Sequence, residues 1–224
     1  MSPKIQRPRG RPRTYDPDAV LDQVLNIFWT QGYSGTSLDD LSAASGMNRP
    51  SLYAGFGDKR SLYIKAMGRF RDRARVHFEQ ALRPQPDDSS FADVIERYLH
   101  AAIELEGGNA DTGVCGCAVI STASAEALAD PEIRNVLDEV LCEMDNQLQA
   151  RLRDALAVGD LPAGTDIETM GFLLTSTAHS IGIRARAGHL RRSAERLARP
   201  IAIALFQQAK CLDEKRHRLK HQRL

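Results

Sequence analysis

The chain has 224 residues, 42% hydrophobic, 26% charged and 6% aromatic, which is the make-up of one or two globular domains able to bury a core. Ten prolines and sixteen glycines are too few for a collagenous or low-complexity chain, and four cysteines are too few to staple a secreted scaffold of this length. The net charge of +1 conceals an asymmetry: residues 1–75 carry 13 Lys+Arg against 7 Asp+Glu, residues 76–206 carry 11 against 20, and residues 207–224 carry 6 against 2. A basic front joined to an acidic body points to a polyanion-binding module attached to a part with another task.

Residues 1–15 open with MSPKIQRPRGRPR, basic and proline-rich, with no apolar run behind it. That pattern is not a secretory signal, and it predicts a disordered arm on a chain that stays in the cytoplasm. Asp16 then caps a helix, Pro17 suits its first position, and Val20, Leu21, Val24, Leu25, Phe28 and Trp29 recur at helical spacing until Gly32 ends it. Ser37 and Asp40 form a short-armed capping box for a second helix that Gly46 closes. Asn48 caps a third, Arg49 to about Ala54, with Pro50 tolerated in its first turn. Two short helices meeting across Ser45-Gly46-Met47 make a helix-turn-helix, in which the first braces and the second lies in a DNA major groove.

From Asp58 a long helix carries Leu62, Ala66, Phe70 and Ala74 on one face and stops before Pro84 and Pro86. The body repeats the helical period through Phe91–Ile103 and Ile133–Leu156, with further helices expected at about 165–186 and 193–211, where Pro200 should kink or divide the last. No alternating strand pattern occurs, so the fold class is all-α: a three-helix DNA-binding domain over 16–75, a helical domain over 76–211 and a basic tail over 212–224. The tail reads as a frayed, solvated terminus. The longest uncharged stretch of the C-terminal half, Thr169 to Ile183, is shorter than the roughly 20 residues of a membrane span, so no membrane partner is expected.

The run Thr36-Ser37-Leu38-Asp39-Asp40-Leu41-Ser42-Ala43-Ala44-Ser45-Gly46-Met47, followed by Ser51-Leu52-Tyr53-Ala54-Gly55-Phe56-Gly57-Asp58-Lys59-Arg60-Ser61-Leu62, resembles the signature of the TetR family. The likeness in residue types covers about residues 16–75; beyond them it is one of architecture alone. It implies a homodimeric, usually repressing, transcription regulator whose C-terminal domain binds a small effector and changes the spacing of two DNA-reading helices. It also implies phosphate contacts at Tyr53 and Lys59, and the same is expected of Thr36 and Ser37. Asn48 and Arg49, at the exposed start of the third helix, have the donors that read base edges, and Ser51 is a lesser candidate. Tyr53 could instead pack half-buried against Leu62, while Phe28, Trp29 and Phe56 read as core.

The arm Arg7-Pro8-Arg9-Gly10-Arg11-Pro12-Arg13 resembles an AT-hook, whose Gly-Arg-Pro centre lets Arg9 and Arg11 enter a narrow A·T-rich minor groove. A solvated basic tail that adds only nonspecific attraction is the alternative. Cys115-Gly116-Cys117 precedes an apolar helix near Ala118, and three readings stay open. The thiols could sense oxidants or electrophiles at a helix start, bind metal with His100, His179 or Cys142, or simply pack. A lone Cys-X-Cys lacks the second pair that zinc spacing needs, so no metal or cofactor is expected. Tyr98, Ser121, Thr122, Thr175 and His179 are polar residues within apolar helical segments and could line an effector cavity. The last two helices, with Leu173, Leu174, Ile181, Leu197, Ile201 and Leu205, should supply the dimer interface. An enzyme is disfavoured, because the chain has no Gly-rich phosphate loop, HExxH helix or GxSxG turn; an architectural DNA-binding protein relying on the arm is the remaining alternative.

Overall fold

The computed structural model describes residues 15–106, 116–189 and 191–221, with side chains through residue 207. Among them the chain forms helices and no strand: α1 (Pro17–Gly35), α2 (Leu38–Ser45), α3 (Arg49–Phe56), α4 (Lys59–Leu82), α5 (Phe91–Glu106), α6 (Ala118–Ala123), α7 (Pro131–Val158), α8 (Ile167–Arg186) and α9 (Arg191–His221). The starts are written in acceptor side chains. Asp16, Asn48, Asp58, Asp130 and Asp166 each accept from free amides in the first turn of the helix that follows, and Ser37 with Asp40 completes a capping box. Gly46 ends α2 at φ 63°, the left-handed geometry that a side chain resists.

Three details depart from the expected boundaries. Gly32, at φ 77°, does break the first helix, but the chain takes one more helical turn to Gly35 before leaving it. The third helix runs two residues further, to Phe56, because that ring is needed in the core. Pro200 does not divide α9: Ala198 and Ala202 on either side of it are buried, and the packing of α9 on α5 outweighs the hydrogen bond that the proline removes.

One apolar core runs through both domains. In the front domain Val24, Leu25, Phe28, Leu41, Leu52, Phe56 and Leu62 join α1 to α4, and Phe70, Ala74 and Phe78 carry the same stripe of α4 into the body against α5 and α7. Polar joints reinforce the seam. Tyr63 of α4 and Thr122 of α6 share a buried hydroxyl hydrogen bond of 2.6 Å, and the Arg186 guanidinium of α8 donates to the Trp29 carbonyl of α1 at 3.1 Å. Arg60 holds Asp130 and Glu132 at the start of α7 at 2.8 and 3.2 Å. The front domain is thereby joined to α6, α7 and α8 at separate points.

Candidate functional site

The exposed start of α3 is set by what lies beneath it. Leu41 of α2 and Leu52 and Phe56 of α3 are buried, which turns Asn48, Arg49, Ser51 and Tyr53 outward. Asn48 spends its side-chain oxygen on the Ser51 amide at 2.9 Å, so its NH2 group is what remains for a base edge. Arg49 lies against Asp39 of α2, its Nε 2.9 Å from the carboxylate, and the pair is solvent-exposed. Such pairs contribute about 0–1 kcal/mol, so a guanine edge can compete for the guanidinium. Tyr53 is 46% exposed, which leaves its hydroxyl open to a phosphate while the ring keeps half its surface covered.

Two expected phosphate ligands sit otherwise. Thr36 is only 1% exposed and its hydroxyl donates to the Gly32 carbonyl at 2.7 Å, satisfying the backbone where α1 breaks; the expectation of a phosphate-binding hydroxyl is corrected there. Ser37 stays at the surface, but its hydroxyl closes the capping box on Asp40, accepting from that amide and donating to the carboxylate. Lys59 folds its ammonium over the Tyr33 ring, 4.5 Å from the centroid, and partial burial there pulls its pKa down. Arg9 and Arg11 lie outside the described residues. The base of their arm does not: the Tyr15 hydroxyl packs so closely on Gly55 of α3 that a Cβ there would stand 2.3 Å from it, and the Tyr15 ring lies against Phe56.

The basic excess of the front segment has a second use that charge counting alone misses. Arg69 and Arg73 pair with Asp22 of α1, Arg69 also with Asp18, Arg71 with Glu139 and Glu143 of α7, and Arg75 with Glu79 and Glu143. With Arg60, five of the thirteen cations thus pair with acids that fasten α4 to its neighbours.

In the body, the polar residues expected to line a cavity separate into two groups. Thr122 is a structural joint, bonded to Tyr63 and donating to the Ala118 carbonyl, and the Thr175 hydroxyl turns back on the Gly171 and Phe172 carbonyls of its own helix; neither is free for a ligand. Ser121 is half-buried against Gly116. Tyr98 and His179 are different: the Tyr98 hydroxyl and His179 Nε2 are buried with no hydrogen-bond partner. A third orphan went unnoticed in the sequence. Glu106, 1% exposed at the end of α5, leaves its Oε2 without a partner. Burial pushes its carboxyl up to about 8, although the Gly182 amide favours the charged form. Nothing in the pattern of α5 distinguishes Glu106 from its exposed neighbour Glu104; Gly182 inside α8 was the available signal, because a mid-helix glycine marks a close approach.

Cys117 is buried beside Glu106, and both burial and that neighbour push its thiol up, the opposite of what an oxidant-sensing thiolate needs. Cys115 lies outside the described residues. Among those described, no three His, Cys, Asp or Glu side chains come together as a metal site, so His100, His179 and Cys142 do not assemble one with Cys117. On the outer face of α8 and α9, Phe172, Leu173, Ile183 and Leu197 are exposed, whereas Leu174 points into the chain's own core and Ile181, Ile201 and Leu205 are partly covered by it. The expected interface residue Leu174 is corrected: two positions along the helix, about 200° around its axis, Phe172 stands outside in its stead. No helix of the described residues is long and apolar enough to cross a membrane.

Residues 20–66 match the family described as bacterial regulatory proteins, tetR family, and residues 90–201 match the tetracyclin repressor-like C-terminal domain. The HTH-type transcriptional repressor ComR of Escherichia coli K12 is 31% identical over 186 residues, which span 82% of this chain and 86% of ComR. YezE of Bacillus subtilis 168, an HTH-type transcriptional regulator, is 26% identical over 179 residues, 79% of this chain and 89% of its own. Among solved structures, a cysteine mutant of the TetR family regulator CifR in complex with 26-bp double-strand operator DNA superposes with a TM-score of 0.73 at 26% identity, covering 87% of this chain and 99% of that one. A capped helix-turn-helix on an all-helical body, with both halves matched, places this chain in the TetR family of DNA-binding transcriptional regulators.

Proposed function

We propose that the chain is a homodimeric repressor, acting in the cytoplasm, that binds a palindromic operator through α3 and lets go when a small effector enters the helical body. The observation that carries this reading is the exposed start of α3, where Arg49, Ser51 and Tyr53 project from a helix whose other face is locked by Leu52 and Phe56. Asn48 and Arg49 read bases; Tyr53 and Lys59 position the helix on phosphates; Arg9 and Arg11 extend the contact into the flanking minor groove. The apolar outer face of α8 and α9 supports pairing with a second copy about a two-fold axis, which matches two half-sites about one helical turn apart. A buried Cys117 favours a noncovalent effector over an electrophile. No catalytic activity is assigned, in keeping with the relatives, which are named as regulators.

The test is fluorescence anisotropy on the operator and on a scrambled duplex at fixed salt. Arg49→Ala is expected to lose about 1–3 kcal/mol of discrimination per site while keeping nonspecific affinity. An architectural protein relying on the arm would keep its preference in that variant, and this result would remove α3 as the reader.

A further inference from the structure

We infer that the cleft between α8 and α9 binds a small organic carboxylate with an apolar skeleton, held at the rim by Arg184. The inference rests on the effector-release reading above and names the ligand chemistry and the place where the ligand enters the body.

The cleft encloses about 370 Å³, inside the range of roughly 300–1,000 Å³ in which small-molecule sites fall. Helical spacing builds it. Ala194, Leu197, Ala198 and Ile201 follow one another at three- and four-residue steps and so share one face of α9. Opposite them Ile181 of α8 and the buried Ile103 of α5 complete an apolar floor. The two alanines leave the space that larger side chains would fill. Leu197 is 54% exposed, so the apolar wall is open to solvent and to a ligand.

The rim selects the ligand's charge. Arg184, His189 and Arg191 line the cleft, and none of its lining residues among those described is an Asp or Glu. Arg184 donates from Nε to the Ser180 hydroxyl at 3.2 Å and meets no carboxylate among the described residues, which leaves its two NH2 groups for a ligand. Ser180, an acceptor in that bond, keeps its own O–H to donate. Arg191 pairs with Glu195 one turn on at 2.7 Å, but the pair is solvent-exposed and readily exchanged for another carboxylate. The start of α9 brings the positive end of a long helix to the same rim through Arg191 and Ser193. A guanidinium is always charged and an organic carboxylate is ionised at pH 7, so both charges exist before they meet. A cationic ligand would be repelled by the same groups. Arg184 and Arg186 belong to the last turn of α8, and Arg186 donates to the Trp29 carbonyl of α1 at 3.1 Å. A ligand that draws this turn toward α9 therefore acts on a joint to the DNA-binding domain. The cleft opens beside Leu197 on the outer face of α8 and α9, where a second copy would roof it.

The experiment is isothermal titration of the full chain without DNA at pH 7. The probes are straight-chain monocarboxylates from butanoate to decanoate and 3-phenylpropanoate, each beside the primary alcohol of the same skeleton. At least one carboxylate is expected to bind once per chain and roughly tenfold tighter than its alcohol, with the preference shrinking as salt is raised. Arg184→Gln, at an exposed position, is expected to lose the preference and keep the affinity for the alcohol. The salt dependence is read on the unaltered chain, so the result does not depend on the variant folding. If no carboxylate outperforms its alcohol, which is also the outcome if side chains of a second copy fill the cleft, the inference is overturned; a preference that survives in Arg184→Gln overturns it too. A carboxylate that binds through Arg184 and leaves operator affinity unchanged would uphold the ligand site while overturning the release mechanism.

Discussion

Thr36 and Lys59 both carry donors near the expected DNA face, and their surroundings give them different work. Thr36→Val keeps the shape and removes the bond to the Gly32 carbonyl. It should lower stability by about 1 kcal/mol and leave the salt dependence of DNA binding unchanged. Lys59→Ala, which loses only an exposed-side cation–π contact, should reduce the salt slope by about 1 with little loss of stability. Urea melts and salt titrations of the two variants separate the roles. Glu106 gives a pH signature with a definite sign. Its carboxyl titrates at about 8 in the folded chain against its ordinary 4.5, so the folded state holds the proton more tightly. Its stabilising contribution is full below pH 4.5, declines as the pH rises and is gone above about 8. Thermal midpoints measured from pH 5 to pH 9 should fall less steeply in Glu106→Gln; an unchanged profile would mean that another group controls that range.

At the scale of elements, the pairing of a helix-interior glycine with a buried acid makes α5 and α8 one unit. Gly182→Ala should raise helix propensity by about 1 kcal/mol in a free helix, yet here it forces a methyl group onto Oε2. We expect a net loss of about 1–3 kcal/mol in urea unfolding, converted to neutrality or gain when Glu106→Ala is combined with it. Additive effects would show that the two residues do not share the seam. The helices themselves were readable because caps and periodicity are local: Asp16, Ser37, Asn48 and Asp58 each fix a start within one turn. The helix carries on through Pro200 without dividing, because the local penalty is offset by contacts with α5, about a hundred residues away in the chain.

For the whole molecule the division of charge matters more than the net value. Since Arg60, Arg69, Arg71, Arg73 and Arg75 pair with acids of α1, α4 and the α7 region, the arm's Lys4, Arg7, Arg9, Arg11 and Arg13 are the largest group of other cations in the basic front segment, and we propose that they meet DNA. Each phosphate neutralised adds about 0.9 to the salt slope on B-DNA. Deleting residues 1–13 should therefore lower the slope by up to about 4–5, with the greatest loss of affinity at operators flanked by A·T-rich DNA. Equal losses on G·C-rich flanks would reduce the arm to nonspecific attraction.

The sequence by itself determined the all-helical class, the helix-turn-helix and the start of its second helix, α3, because caps, glycine turns and apolar periods act over a few neighbouring residues. It also marked Tyr98 and His179 as polar groups inside the body. Only the tertiary structure decided that Thr36 is a buried backbone partner, that Thr122 is a joint to Tyr63, that Leu174 faces inward where Phe172 faces out, and that Glu106 lies unpaired against Gly182. Those outcomes depend on which residues, distant along the chain, meet across helices, and whether a buried polar group finds a partner is a property of that meeting.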